Sequence, residues 1–210
     1  MSIRDLERRD GEDSSYEDQA RLTGDAGAQS TGRSLKRFIL ELLEIIVIAG
    51  GLFLAVNTAT ARVRVESISM EPNLHEGQFV VVNRLAYRWA NPEHGDIIVF
   101  HFPNNPKKRY IKRIIGIGGD LVFANNGQVT VNGIPLDEPY LASVPNYEGE
   151  WKVGPEEVFV LGDNRNNSND SKNWGLLELD AVIGKAIFIY WPLSDLGLIP
   201  HYDLLGNGEG

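Results

Sequence analysis

The sequence predicts a mostly β protein that follows a single N-terminal transmembrane helix, and three observations carry this prediction. One continuous apolar segment, FILELLEIIVIAGGLFLAV, occupies residues 38–56. After it, short runs of β-branched and aromatic residues alternate with turns rich in glycine, proline and asparagine, which is typical of an all-β domain. No long segment with helical periodicity follows residue 56. We therefore expect a barrel-like or two-sheet β domain over residues 62–210.

The chain begins with a polar, acidic segment. Residues 1–32 carry eight acidic residues and four arginines, with few large apolar side chains. Such a composition buries too little apolar surface to fold, so residues 1–34 are predicted to be a disordered cytoplasmic tail. The net charge of −9 argues against nucleic acid as a partner. Because the chain has no cysteine, disulfides, thiolate nucleophiles and zinc–cysteine sites are excluded.

Residues 35–57 are predicted to form the transmembrane helix. At ~1.5 Å per residue, a helix over residues 35–56 is roughly 33 Å long, about the thickness of the hydrocarbon core of a bilayer. Arg33, Lys36 and Arg37 precede the apolar segment, which favours a cytoplasmic N-terminus. The domain that follows would then lie outside the cytoplasm.

A cleaved secretory signal is the main alternative to a retained membrane anchor. Ala59 and Ala61 form an A-x-A pattern directly after the apolar segment, as signal cleavage sites do. The long acidic leader favours the retained anchor instead. A buried core helix and an amphipathic surface helix are weaker alternatives. The near absence of polar residues after Glu44 makes the surface helix unlikely.

The clearest strands are FVVVN, DIIVFHF, YIKRIIGI, EVFVLG and KAIFIYW, at residues 79–83, 96–102, 110–117, 157–162 and 185–191. Two Asn-Gly pairs within residues 121–136 are the strongest short-range signal for a hairpin. We expect a small insertion of hairpin and loops over about residues 120–156.

The histidines and one glycine-rich segment do not form recognisable catalytic, metal-binding or phosphate-binding motifs. The four histidines lie in no triad motif and at no metal-ligand spacing, so we expect neither a metal site nor a cofactor. The glycine-rich GIGGD at residues 116–120 follows a strand but precedes no helix, and a turn is therefore favoured over a phosphate-binding loop.

Lys112 is a candidate general base, and Ser69 is a candidate nucleophile that its local sequence does not decide. In a strand, Lys112 and Arg113 point to opposite faces, so one of them is expected to meet apolar surroundings. Burial would lower the lysine pKa to ~7–8, and a neutral amine can accept the proton of a serine hydroxyl. The alternatives are a lysine that extends to water and a serine that is a solvated loop residue.

The segment GDNRNNSNDSKNWG, residues 162–175, is the most polar part of the predicted domain. Asp163, Arg165, Asp170 and Lys172 alternate in sign along it. Ion pairs and side-chain-to-backbone bonds can make such a segment a rigid polar wall for an active site. A solvated loop is the alternative, and composition alone favours it.

Taken together, these segments resemble the bacterial type I signal peptidases. The resemblance covers the apolar segment and four ordered blocks, SISMEPNL, GQFVVVNRLAY, GDIIVFHFP…YIKRIIGIGGD and GDNRNNSNDSKNWG, within residues 38–192. It implies a single-pass serine endopeptidase of the bacterial plasma membrane, with its catalytic domain outside the cytoplasm. Its substrates would be exported preproteins, from which it would remove signal peptides after small residues (Ala-x-Ala) through an acyl-enzyme.

The resemblance also implies roles for individual residues. Ser69 would be the nucleophile and Lys112 the general base. Ser67 would donate its hydroxyl to the oxyanion hole, and Ser168 would orient the lysine amine. The remaining positions carried over are a supporting ion pair, Asp170 and Lys172, and the residues of shallow S1 and S3 pockets, Met70, Leu74, Tyr110 and Ile111.

The sequence departs from the family pattern at three places. Asn73 replaces a usual threonine, GIGGD replaces GLPGD, and Lys172 stands where arginine is common. Two other interpretations share some of these features. A self-cleaving repressor-type protease has a Ser–Lys dyad but lacks the span and the polar segment. A membrane-tethered binding module would leave Ser69 and Lys112 with structural roles only.

Overall fold

The computed structural model describes residues 35–206, and the predicted acidic tail at residues 1–34 lies outside the described residues. The chain divides into two compact units, with the boundary between Ala55 and Val56. Its first element is helix α1 (Leu35–Ala59), which by length and composition can cross a membrane. The segment that was predicted to span the bilayer falls within this helix.

The second unit consists mainly of antiparallel strands, which confirms the mostly β prediction. The strands are β1 (Thr60–Arg64), β2 (Phe79–Asn83), β3 (Ile97–Phe102), β4 (Asn105–Gly116), β5 (Leu121–Asn125), β6 (Gln128–Val131), β7 (Ile134–Pro135), β8 (Gly149–Lys152), β9 (Glu157–Leu161), β10 (Leu177–Glu178), β11 (Val182–Trp191) and β12 (Gly197–Leu198). Two one-turn helices, α2 (Ala86–Trp89) and α3 (Ser171–Trp174), interrupt them.

The strands form two sheets. The larger has the order β1-β2-β11-β3-β4-β9-β10, with β12 paired to β11, and the smaller has the order β7-β6-β5-β8. In the smaller sheet, both Asn-Gly pairs form tight turns with positive φ at each residue, as two-residue hairpins require. The sheet is the predicted hairpin region, extended by β8.

Strands β1 and β4 of the larger sheet each have an unpaired backbone edge among the described residues. Strand β1 is an edge strand and pairs with β2 alone. Strand β4 pairs along its length with β3, but its register with β9 begins only at Arg113. Residues 105–112 of β4 therefore have a free edge on the β9 side.

The apolar residues of these strands form three buried clusters. Strand β4 contributes to all of them, through Ile111, Ile115 and Ile114 respectively. Its middle is therefore covered on both faces, while residues 105–109 are exposed. This change along a single strand matters for the site, since Lys112 lies at the start of the buried part.

Candidate active site

Ser69 and Lys112 lie side by side in the folded chain. Lys112 Nζ is 2.6 Å from Ser69 Oγ, and the two residues are 43 positions apart in the sequence. Ser69 sits in a 3-10 turn, residues 68–70, shortly after β1, and is only 5% exposed. The solvated loop serine and the solvent-exposed lysine, the two common alternatives, are therefore absent at these positions.

The surroundings of Lys112 favour a neutral amine. Its side chain is 3% exposed, and burial lowers its pKa from 10.5 to about 8. The carboxylates of Asp170 and Asp163 act in the opposite direction, whereas the ammonium of Lys172 lowers the pKa further. Nζ also contacts the carbonyl oxygen of Ile111 at 2.8 Å, which fixes the direction of the side chain.

Ser67 and Ser69 have hydroxyls within hydrogen-bonding distance of each other, since their Oγ atoms are 3.1 Å apart. Ser67 has extended backbone geometry just before the 3-10 turn. The predicted oxyanion donor therefore faces the same space as the predicted nucleophile.

Arg113 is buried as well as Lys112, whereas the alternation of the strand predicted apolar surroundings for one of the two. Its guanidinium is fully buried and donates from Nε and one terminal nitrogen to the two carboxylate oxygens of Asp163, each at 2.8 Å. Its other terminal nitrogen donates to the carbonyl of Gly95. A bidentate pair of this kind satisfies most polar atoms that burial would otherwise leave without partners.

Asn73, one of the three departures from the family pattern, also binds Asp163. Its side-chain amide donates to Asp163 at 2.9 Å and to the carbonyl of Tyr140 at 3.3 Å. The loop after Ser69 is thus tied both to the polar segment and to the residues that follow β7. The amide of Asn164 adds a backbone bond to the carbonyl of Ser69, at 3.0 Å.

The polar segment at residues 162–175 is mainly a packed wall rather than a solvated loop. Asp170 and Lys172 form the expected ion pair at 3.0 Å, and Asp170 also accepts from the amide of Gly162. A Cβ at Gly162 would come within 2.2 Å of Ser168 Oγ and 2.4 Å of the Ser69 carbonyl oxygen. Only glycine allows this approach of the segment to the turn that contains Ser69.

Ser168 is close to the dyad but is not joined to it. Its Oγ is buried and has no hydrogen-bond partner among the described residues. Lys112 Nζ instead contacts Ser69 and Ile111. The orienting role that the resemblance implies for Ser168 stays a prediction.

Arg165 anchors the wall from behind, through partners that the sequence did not indicate. Its side chain has no exposed surface and forms a bidentate pair with Glu138, one contact being 3.0 Å, and it donates to the Tyr140 hydroxyl at 3.1 Å. The alternating signs within residues 162–175 hinted that partners were needed. Glu138 and Tyr140 lie in an irregular stretch whose sequence carries no such signal.

A cleft of about 630 Å³ opens beside Ser69 and Lys112. Tyr110 and Ile111, two of the four predicted pocket residues, line it. The other two, Met70 and Leu74, are fully buried in the hydrophobic cluster between the strands. The cleft runs between the free edge of β4 and the segment that follows β1.

One group of potential metal ligands lies away from this cleft. Oxygen and nitrogen atoms of Glu93, Asp96 and His201 lie within 4.8 Å of one another. The ammonium of Lys185, however, is in direct contact with the buried carboxylate of Asp96. This ion pair places a positive charge where a metal ion would bind, so the group is better described as a structural cluster.

Comparison with known proteins defines the class of this chain. The family model described as signal peptidase, peptidase S26, matches residues 36–191. A probable signal peptidase I-2 from Synechocystis sp. is 41% identical over 167 residues, covering 76% of this chain and 77% of that protein. A signal peptidase I from Leptolyngbya laminosa is 39% identical over 168 residues, covering 76% and 83%.

Two further matches have lower sequence identity. A signal peptidase IB from Staphylococcus aureus is 34% identical, covering 77% of this chain and 94% of that protein. A signal peptidase I crystal structure from Enterococcus faecalis matches with a TM-score of 0.43 and 31% identity, covering 46% of this chain and 97% of that one. The protein is therefore a serine endopeptidase. It belongs to the signal peptidase family, peptidase S26.

Proposed function

We propose that this chain removes signal peptides from exported preproteins, with Ser69 as nucleophile and Lys112 as general base. The observation that carries the proposal is the 2.6 Å contact between Lys112 Nζ and Ser69 Oγ, in a site where burial lowers the lysine pKa to about 8. A buried amine without a carboxylate partner of its own is suited to hold and release a proton near neutral pH.

The free strand edges beside the dyad suit an extended peptide. Backbone groups of β1 and of residues 105–112 of β4 can pair with a precursor strand laid in the cleft, as in other cases of β-strand addition. Such pairing binds any sequence through its backbone and leaves selection to the side chains. Tyr110 and Ile111 line the cleft next to Lys112, where a small residue such as alanine would fit.

Acyl transfer then follows from the positions of the side chains. Neutral Lys112 takes the proton of Ser69 as Oγ bonds to the scissile carbonyl carbon. The negative charge on the carbonyl oxygen is stabilised by the Ser67 hydroxyl and the Ser69 amide, and removing one such donor typically costs ~10²–10³ in rate. The carbon–nitrogen bond breaks as the Lys112 ammonium gives its proton to the leaving amine.

Hydrolysis of the acyl-enzyme repeats the same proton transfers with water. Lys112 accepts a proton from the water that attacks the ester carbonyl, and returns it to Ser69 Oγ when the ester bond breaks. Asp170 and Lys172 support the wall that holds Ser69 and Ser168 in place. All steps use groups of the chain and water.

We further propose that α1 anchors the enzyme in the bacterial plasma membrane, with the N-terminus in the cytoplasm and the β domain outside. The helix has 25 residues and is about 37 Å long, enough to cross the hydrocarbon core. The basic residues before it favour this orientation. A catalytic domain tethered there would meet precursors as they emerge from the bilayer.

Processing of a preprotein by the full chain in detergent tests the proposal. We expect Ser69→Ala and Lys112→Ala to abolish cleavage after an Ala-x-Ala sequence, while Lys152→Ala, at an exposed position of β8, cleaves at the parental rate. Each variant is checked for folding by its thermal transition. If both folded dyad variants cleave like the parent, the dyad assignment is wrong. The mass of the chain extracted from membranes tests whether α1 is retained.

A further inference from the structure

The end of the cleft away from the dyad is strongly basic, although the chain as a whole carries a charge of −9. Lys107, Lys108 and Arg109 lie at this end, three to five positions before Lys112 on β4, and Arg64 lines the same cleft. We call these four residues the basic end of the cleft. Glu66 is the one acidic residue among the described residues that line the cleft.

One side-chain contact is made by the basic end among the described residues: the guanidinium carbon of Arg64 lies 6.0 Å from the centre of the Phe79 ring. The four side chains of the basic end are exposed, and no described carboxylate forms an ion pair with any of them. Three consecutive cations on one strand repel one another, which makes a small unfavourable contribution to stability. A cluster of exposed cations that has no carboxylate partner among the described residues, and that lines the catalytic cleft, is suited to attract a negatively charged ligand.

Strand geometry indicates which part of a bound peptide would meet these charges. Lys108, Tyr110 and Lys112 point to the same face of β4, because alternate residues share a face. At ~3.3 Å per residue, Lys108 lies about 13 Å along the strand from Lys112. A peptide paired with this edge has the same spacing, so the residue opposite Lys108 is the fourth from the residue opposite Lys112.

The direction follows from the residues in between. Tyr110 and Ile111, which are expected to contact the small residues before the cleaved bond, lie between Lys112 and Lys108. The basic end therefore lies further upstream. If Lys112 is opposite P1, the residue before the cleaved bond, then Lys108 is opposite P5, the fifth residue before it.

We infer that the basic end of the cleft recognises an acidic side chain of the precursor at P5. The inference rests on the proposed function, because it requires a precursor strand in the cleft. The ligand is a peptide carboxylate. The phosphate of an anionic lipid headgroup carries a similar charge, so the test separates the two sources.

The experiment compares two precursors that differ only by Asp or Asn at P5, with the full chain in nonionic detergent that contains no lipid. We expect kcat/KM to be about three- to tenfold higher for the Asp precursor at low ionic strength, since several exposed cations act together. The ratio should fall toward one as salt is added, because exposed charges are screened. The same Asp and Asn pair placed two residues after the cleaved bond is the position control, with an expected ratio near one.

Variants identify the source of the preference. Lys108→Gln should lower the Asp/Asn ratio at P5, and the triple variant Lys107→Gln/Lys108→Gln/Arg109→Gln should bring it close to one. Lys152→Gln removes one exposed charge from β8 and should keep the parental ratio. The Asp/Asn ratio of kcat/KM is measured with a single preparation of each variant, so a partial loss of active enzyme lowers both values equally and leaves the ratio unchanged.

A parental ratio of one at P5, or a ratio that Lys108→Gln and the triple variant leave unchanged, overturns the inference. A ratio of one in detergent, combined with activation by anionic vesicles that the triple variant loses, also overturns it and assigns the charges to lipid. Failure of the parent to cleave either precursor is a different result, since it refutes the proposed function itself.

Discussion

Replacing Lys112 with methionine should abolish activity and yet stabilise the fold at neutral pH. Methionine has a similar length and an apolar end, so it fits a site in which the present side chain is 3% exposed. The substitution removes an ionisable group whose charged form is disfavoured by burial. A catalytic group held at a cost in stability is what the proposed mechanism requires.

The magnitude follows from the pKa of Lys112, which falls from 10.5 to about 8 on folding. Between these values the unfolded chain binds more protons than the folded chain, so stability rises with pH across this window. Below pH 8 both states are protonated, and the full difference corresponds to about 3 kcal/mol of destabilisation. Loss of the contacts to Ser69 and Ile111 offsets about 1–2 kcal/mol of the expected gain.

We therefore expect Lys112→Met to be more stable than the parent by about 1–2 kcal/mol at pH 7, which raises Tm by about 2–8 °C for a chain of this size. The advantage should shrink as the pH rises above 8 and reverse by about pH 10.5, because the lost contacts remain after the cost of ionisation is gone. Thermal unfolding in detergent, followed by tryptophan fluorescence at pH 7 and pH 10, measures both effects. The other ionisable groups are the same in the two proteins, so the pH dependence of their difference in Tm reports on Lys112.

The matched control is Lys152→Met on β8, where an exposed lysine is replaced and Tm should change little at either pH. A Lys112→Met variant that unfolds below the parental Tm at pH 7 contradicts the reasoning. So does a difference in Tm that is the same at both pH values, since it cannot come from the ionisation of Lys112.

Three further predictions concern activity. The kcat/KM of the parent should rise with pH through about 8, as Lys112 loses its proton. About a tenth of the amine is neutral at pH 7. A flat profile between pH 6 and 9 contradicts this prediction. Lys172→Met should move the rising limb to higher pH, because the Lys172 ammonium lowers the Lys112 pKa, and Lys172→Arg should keep the parental profile. Gly162→Ala should lower kcat by about 10²-fold, because its Cβ would press on the Ser69 carbonyl, whereas Gly197→Ala has space and should not.

The fold was largely predictable from local patterns. Runs of β-branched residues located β2, β3, β9 and much of β4 and β11, and the Asn-Gly pairs located the turns of the smaller sheet. Strands β1 and β8 were missed, as were the two-residue strands β10 and β12. TARVR and GEWK are short and polar, and they become strands because β2 and β5 offer them backbone partners. That information is not local.

In the candidate site, too, local motifs were predictable and contacts between distant parts of the chain were not. The motifs and the resemblance named Ser69, Lys112 and the Asp170–Lys172 pair, which lie together in the structure. The partners of Arg113 and Arg165 were not predicted. Each side chain finds its carboxylate far along the chain, and such a contact leaves no trace in spacing or composition.

The ion pairs around Lys112 resolve a conflict in the site. The carboxylates of Asp163 and Asp170 both raise the pKa of Lys112, and alone they would favour its charged, inactive form. Each carboxylate is paired, Asp163 with Arg113 and Asp170 with Lys172. The buried carboxylates accept the backbone and side-chain hydrogen bonds that shape the wall. Their paired cations oppose much of the negative potential that these carboxylates produce at Lys112. The effect of burial on the Lys112 pKa is then larger than that of the carboxylates, and the pKa falls to about 8.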